Sequence, residues 1–262
     1  MIIKAYKKEA ESMRQAVARL EIPTREKLTF SGRLDPMASG LFLILTGEDR
    51  FKKDEFNKLD KEYYAEILFG VKTDSADILG IINASKDCQT DKSAIKKAGL
   101  KFKGSVNWKY PCFSSKKFKG KSLFEHALFG NCPEERPKYK AFLYKVKLLD
   151  TKSVSSKLLQ KGIKERISKL KESDIDFKYK DYRKDEILKS WDRFFKDKKQ
   201  DFIIASFNLK VSHSFYVRDF AERLGEELDC PALAFKIVRL SIGKSVKIPF
   251  INKYFYKKLY NI

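Results

Sequence analysis

Apolar and polar positions alternate along this chain with two different periods, and the switches between them outline an α/β architecture. Leu41-Phe42-Leu43-Ile44-Leu45 is an unbroken apolar run, the pattern of a buried strand. Tyr63, Ala65, Ile67 and Phe69 stand at every second position up to Gly70, which predicts a strand with one buried face. Phe142, Tyr144, Val146 and Leu148 do the same within Tyr139 to Leu149, and further strands are predicted from Phe202 to Lys210 and from Ala232 to Leu240. Ile2 and Ile3 begin a short strand. Met13, Val17 and Leu20 recur at helical spacing, so Lys8 to Leu20 reads as an amphipathic helix, and Asp91 to Leu100 as a second, short one. Between 150 and 200 two helical stripes follow one another. The first holds Val154, Leu158, Leu159, Ile163, Ile167 and Leu170; the second holds Ile187, Leu188, Trp191, Phe194 and Phe195. They predict a helical hairpin with basic outer faces, either an RNA-contacting addition or a packing element.

Composition narrows the function classes. The 262 residues suffice for one large domain or two small ones and for a sizeable core, and 43% hydrophobic with 13% aromatic content argues against general disorder. The 56 basic and 35 acidic residues give a formal charge of +21, which favours a polyanionic partner, although lysine-rich usage alone weakens that inference. No run of about eighteen apolar residues occurs, so no membrane span or membrane partner is expected. The amino terminus lacks a signal-peptide core, and a cytoplasmic location is expected. Cys88, Cys112, Cys132 and Cys230 form no C-x-x-C pair and read as buried free thiols. With only His126 and His213 as imidazoles, no metal site is expected.

The candidate chemistry centres on Phe30-Ser31-Gly32-Arg33-Leu34-Asp35-Pro36-Met37-Ala38-Ser39-Gly40-Leu41. Two glycines and Pro36 frame one carboxylate in a stiff, irregular loop that runs into the buried strand. An Asp before a Pro also stands in ordinary turns. The whole segment, however, resembles the catalytic-loop motif of the TruB family of pseudouridine synthases, G-x-L-D-P-x-A-x-G, and meets each of its fixed positions.

Other stretches resemble further motifs of that family in the same order. Lys61-Glu62-Tyr63 with Gly70 and Thr73-Asp74 resembles K-x-Y-x-x-x-x-x-x-G followed by T-D. Pro111 to Leu128 resembles P-x-x-S-A-x-K-x-x-G-x-x-x-Y-x-x-A-R, with Ser115, Phe124 and Leu128 departing from it. Tyr216-Val217-Arg218 and Leu224-Gly225 resemble the Y-I-R and L-G of a last motif, with Ser214 and Phe215 in place of Gly-Thr. The Lys-Pro-x-Gly-x-Thr/Ser segment that braces the catalytic loop is represented only by Lys4-Ala5-Tyr6. Phe30 stands where the bacterial tRNA enzymes usually carry a histidine.

The resemblance implies a pseudouridine synthase fold: a mixed, mainly antiparallel central sheet flanked by helices, with the 150–200 hairpin inserted. It implies a catalytic domain over residues 1–245 and a short basic, aromatic tail over 246–262 without a full PUA domain. It implies isomerisation of uridine to pseudouridine in the T-arm of tRNA, without cofactor, by a monomer. Asp35 would be the nucleophile, Arg218 its counter-ion and Tyr63 the residue stacked on the base. Phe30, Arg33, Lys61, Asp74, Lys117, Tyr216, Ile237 and Arg239 would contact substrate. Two alternatives stay open: a synthase for another RNA, and an RNA chaperone that uses the fold without catalysis.

Overall fold

The computed structural model describes residues 1–22, 27–170, 183–248 and 253–262. The chain opens with β1 (Ile2–Lys7), α1 (Met13–Ala18), β2 (Leu28–Ser31), β3 (Ala38–Thr46) and α2 (Lys53–Asn57). It continues through β4 (Asp60–Phe69), β5 (Val71–Thr73), β6 (Ile82–Ser85), α3 (Lys92–Lys101) and β7 (Gly104–Lys109). A two-residue hairpin, β8 (Lys117–Phe118) and β9 (Lys121–Ser122), leads into α4 (Leu123–Leu128). Then come β10 (Lys138–Ser155), α5 (Ser156–Ser168), α6 (Lys184–Phe195), β11 (Asp201–Val211), α7 (Val217–Glu227), β12 (Ala232–Ile248) and β13 (Lys253–Asn261).

Nine of these strands build one sheet in the order β1-β3-β12-β4-β11-β10-β7, with β2 added to β3 and β13 to β12. Its pairings are antiparallel except for one. Ala38, Ser39 and Gly40 of β3 run parallel to Ile237, Val238 and Arg239 of β12. The mixed, mainly antiparallel sheet flanked by helices is therefore as the sequence predicts.

The strand β3 is buried along its whole length, as its apolar run requires. The strand β4 differs from expectation: it is buried on both faces, not one. Tyr63, Ala65, Ile67 and Phe69 share a core with Ile95 of α3 and Phe220 and Leu224 of α7. On the opposite face Leu68 joins Ile204 and Leu233 under Leu159, Ile163 and Ile167 of α5 and Ile187, Trp191 and Phe195 of α6. The helices of the 150–200 segment thus cover a second sheet face, which leaves β4 no face to solvent there.

Three boundaries need correction. The first helix begins at Met13, because Ser12 caps it through a reciprocal capping box with Gln15 and Ala10 takes a left-handed φ of 63°. Alternation along β10 is broken by a bulge after Leu143, so Tyr139, Ala141, Leu143 and Val146 point to the core. Phe142 and Tyr144 instead pack against Tyr254 of β13. Val154 belongs to β10 and Leu158 is exposed, so the stripe of α5 reduces to Leu159, Ile163 and Ile167. The part of the predicted hairpin that falls on 171–182, and residues 249–252 of the tail, lie outside the described residues.

The cysteines are not free thiols. Cys88 is disulfide-bonded to Cys230, and Cys112 to Cys132, each pair with Cα atoms 5.6 Å apart. The sequence hid both because the fold, not local spacing, brings the partners together.

Candidate active site

The loop between β2 and β3 stands at the mouth of an open cleft of about 1100 Å³. Its walls come from that loop, β4, the Ser75–Leu79 turn, the Phe113–Ser115 segment, the start of α7 and β12. Asp35 lies on this wall with its side chain 36% exposed, while Arg218 behind it is only 3% exposed. The two form a bidentate pair: Arg218 Nε donates to Asp35 Oδ2 at 2.9 Å and Nη2 to Oδ1 at 3.2 Å. Two further donors go to backbone, Nη1 to the Ser75 carbonyl at 2.9 Å and Nη2 to the Phe113 carbonyl at 2.8 Å. Such a planar fork fixes both the position and the orientation of the carboxylate it holds.

Arg218 sits in the first turn of α7, where the helix dipole disfavours a cation, and it is buried. Burial weakens its charge most, but the carboxylates of Asp35, Asp77 and Asp219 outweigh that loss and hold its pKa above the ordinary value. Asp77 is buried 3.9 Å from Arg218 Nε and accepts hydrogen bonds from Ser75 Oγ and the Leu79 amide. Burial raises its pKa against the pull of Arg218. Burial likewise pushes Asp219 up to about 7, opposed by a 2.7 Å hydrogen bond from the Tyr139 hydroxyl. One guanidinium thus lies in the field of three carboxylates, of which Asp35 is the most exposed to the cleft.

The catalytic-loop pattern is held from both sides by buried cations. On one side Arg239 donates to the carbonyls of Gly32 (2.7 Å), Arg33 (2.9 Å) and Leu41 (3.2 Å), and to the Tyr63 hydroxyl (3.1 Å). On the other, Lys7 donates to the carbonyls of Pro36 at 2.9 Å and Ala38 at 2.7 Å, and the Ala10 amide donates to Pro36 at 3.0 Å. Burial lowers the Lys7 pKa to about 8. This overturns the assignment of the bracing segment to Lys4-Ala5-Tyr6, since Lys4 is exposed. Lys7-Lys8-Glu9-Ala10-Glu11-Ser12 carries the Lys and Ser of Lys-Pro-x-Gly-x-Thr/Ser at the right spacing. Ala10 stands at the glycine position with the positive φ that a glycine would favour.

Tyr63 is buried beneath the cleft on β4, with the Arg239 guanidinium 5.5 Å from its ring centre. Ile237 on β12 and Tyr216, which precedes α7, also line the cleft. Burial, then Asp35, raises the Tyr216 pKa. Phe30 is half-buried on the cleft wall with the Lys53 ammonium 5.8 Å from its ring centre. Arg33 is exposed at the rim. Lys61 lines the cleft, yet its ammonium is spent on the carbonyls of Asn57 (2.7 Å) and Leu59 (2.5 Å), and burial lowers its pKa to about 7.

Two expected contacts fall outside the cleft wall. Lys117 is exposed on β8, and the Asp74 carboxylate is taken up in a bidentate pair with Arg183. Among the cleft residues that escaped the sequence reading are Asp77 and Arg183, while Ser114, the serine of the Pro111–Leu128 motif, has a hydroxyl buried without a hydrogen-bond partner. Asp77 stands three residues after Asp74 in the same turn, the one signal that pointed to it. Among the described residues no group of three or more His, Cys, Asp or Glu side chains could hold a metal ion, and no helix is long and apolar enough to cross a membrane.

Comparison with known proteins places this geometry. Residues 20–165, more than half of the chain, match the model of the TruB family pseudouridylate synthase N-terminal domain. The chain is 34% identical over 126 residues to tRNA pseudouridine synthase B of Caldicellulosiruptor saccharolyticus, covering 48% of this chain and 44% of that protein. It is 24% identical over 244 residues to tRNA pseudouridine synthase B of Thermotoga maritima, covering 92% and 62% respectively. In fold it resembles a solved Cbf5–Nop10–Gar1 complex, with a TM-score of 0.55 at 15% identity over 92% of this chain and 48% of that one. The matches span roughly half to three-fifths of the curated relatives' own length. The extent of the family match, on a chain whose loop carries Asp35 paired to Arg218, places it in the TruB family of pseudouridylate synthases.

Proposed function

We propose that this protein isomerises uridine to pseudouridine in the T-arm of tRNA, with Asp35 as nucleophile. The observation that carries the reading is the Asp35–Arg218 pair: a carboxylate open to the cleft, locked in orientation by a buried guanidinium. A binding module has no need of a carboxylate held in that way, and RNA phosphates would be repelled by it. Arg218 holds the Asp35 carboxylate in one fixed orientation, which is what a nucleophile requires.

A uridine within a stacked loop must leave the stack before its glycosidic bond is accessible, as base-modifying enzymes require. The flipped base enters the cleft over Tyr63 and against Ile237. Asp35 attacks the ribose or the base, and the N1–C1′ bond breaks. The freed uracil turns so that C5 faces C1′, and a C5–C1′ bond forms while the bond to the Asp35 carboxylate breaks and returns its electron pair to Asp35. A proton leaves C5 and N1 gains one, so the reaction is an isomerisation that needs no external reactant. Tyr63, its hydroxyl held by Arg239, stacks on the base and assists removal of the C5 proton. Phe30, Arg33 and Tyr216 line the approach, and surface lysines such as Lys117 hold phosphates without specifying sequence. A single chain supplies these groups, which supports action as a monomer, and a tRNA substrate supports a cytoplasmic site of action.

Incubating T-arm RNA with the wild type and with Asp35→Asn, then assaying pseudouridine by mass spectrometry, tests the reading. Product from the wild type alone is expected. Tight RNA binding without product from either protein would replace it with the RNA-chaperone alternative, and product only in another RNA would reassign the substrate.

A further inference from the structure

We infer that Arg183, at the start of the inserted helix α6, is a positioning residue that holds the Arg218–Asp35 pair from behind. Arg218 rests on two backbone acceptors, the carbonyls of Ser75 and Phe113. Arg183 fixes both segments that carry them. Its fork binds the Asp74 carboxylate at 2.8 and 3.3 Å, one residue before Ser75. Its guanidinium carbon lies 4.7 Å from the centre of the Phe113 ring, the residue whose carbonyl Arg218 uses. A chain of contacts therefore runs from Arg183 through Asp74 and Phe113 to Arg218 and so to Asp35.

The local conformation fits such an anchor. Arg183 is held at a φ of 56°, a left-handed backbone that a side chain resists unless its surroundings impose it. The imposed contacts are the carboxylate fork and the aromatic face, which only a planar guanidinium satisfies together. The rest of the insertion reinforces the same neighbourhood. Trp191 Nε1 donates to the Ile78 carbonyl at 3.0 Å, next to Asp77. Arg166 of α5 pairs with Glu9 at 2.7 and 3.0 Å, within the segment that braces the catalytic loop. Met37 and Ala10 share a core with α5 and α6. The 150–200 insertion, left open between packing and RNA contact, thus acts on the geometry of the nucleophile.

This inference rests on the reading of Asp35 as nucleophile, and its test separates the two. Arg183→Met, the milder Arg183→Lys, Arg218→Lys and the double variant Arg183→Met with Arg218→Lys are assayed by single-site kinetics on T-arm RNA and by thermal unfolding. A wild type without product overturns the functional reading alone; the unfolding cycle then decides the inference. Positioning predicts that Arg183→Met lowers kcat by about tenfold at unchanged KM, with Arg183→Lys in between, since misplaced groups cost rate and not binding. In the Arg218→Lys background the same change should cost less than about twofold, and the two Tm losses should be less than additive. A raised KM with a shallower salt dependence and unchanged kcat would make Arg183 a phosphate contact instead. Effects that multiply in kcat and add in Tm would show two independent residues, and either result overturns the inference.

Discussion

Gly40 and Arg239 stand opposite each other in the one parallel strand pair of the sheet, so close that a Cβ on Gly40 would lie 2.3 Å from the Arg239 carbonyl oxygen. Gly40 also has a φ of 118°, and its neighbour atoms are backbone, which cannot swing aside. The last glycine of the catalytic-loop pattern is therefore where β3 and β12 meet. Gly40→Ala should lower stability by roughly 3 kcal/mol or more, the scale of core overpacking with backbone strain. Gly104→Ala is the control, since its φ of 122° is equally strained but nothing lies within 4 Å of the added carbon. Comparable urea midpoints for the two variants would remove close approach as the cause.

Arg239 ties Gly32, Arg33, Leu41 and Tyr63 together through a single fork. A lysine at this place keeps the charge but cannot reach acceptors on both sides, and buried acceptors left unpaired cost about 1–3 kcal/mol each. Arg239→Lys should therefore lose roughly 3 kcal/mol in urea unfolding and at least tenfold in kcat as the Asp35 loop loosens. A variant with wild-type stability and rate would show that Lys7 alone holds the loop.

The two disulfides differ in the length of chain they close, 142 residues for Cys88–Cys230 and 20 for Cys112–Cys132. Loop-closure entropy assigns about 5 kcal/mol to the first and about 3 kcal/mol to the second. Cys230→Ser should accordingly lower Tm more than Cys132→Ser, with unfolding followed under non-reducing conditions. Equal shifts, or none, would mean that the thiols contribute by packing alone.

What the sequence made legible and what it concealed divide along a physical line. The loop around Asp35 is contiguous, so its glycines, Pro36 and the following apolar run were readable together, and Arg218 followed from its own motif. Tyr63 was readable from the resemblance of its segment to the second motif, since strand alternation alone marks only a strand tyrosine. Contacts made by folding were not: Cys88 with Cys230, Arg183 with Asp74, and Trp191 with the Ile78 carbonyl join residues over a hundred positions apart. A bulge after Leu143 adds one residue to β10 without changing composition, so the period-2 reading put Phe142 and Tyr144 on the wrong face. Lys7 was missed for a third reason. Lys8 and Ala10 replace the proline and glycine that mark its segment, and only the φ of Ala10 reveals the glycine-like backbone.

Lys7 gives the fold a pH dependence whose sign is fixed by burial. Its ammonium is fully buried against the carbonyls of Lys8, Pro36 and Ala38, and burial brings its pKa from 10.5 to about 8, with Asp35 as the largest opposing influence. The unfolded chain keeps this proton up to about 10.5, whereas the folded chain releases it near 8. Between those values the unfolded state binds more protons, so this group's contribution to stability grows as pH rises through the window and is lost as pH falls back through 8. The span corresponds to roughly 3 kcal/mol at most. Catalysis should move the other way, because a neutral amine has one donor fewer for three loop carbonyls. Wild-type unfolding free energy should therefore rise more steeply between pH 8 and pH 10 than that of Lys7→Met, while wild-type kcat falls over the same range. Parallel stability slopes for the two proteins would show that Lys7 keeps its proton throughout, and the alkaline loss of rate would then have to come from another group.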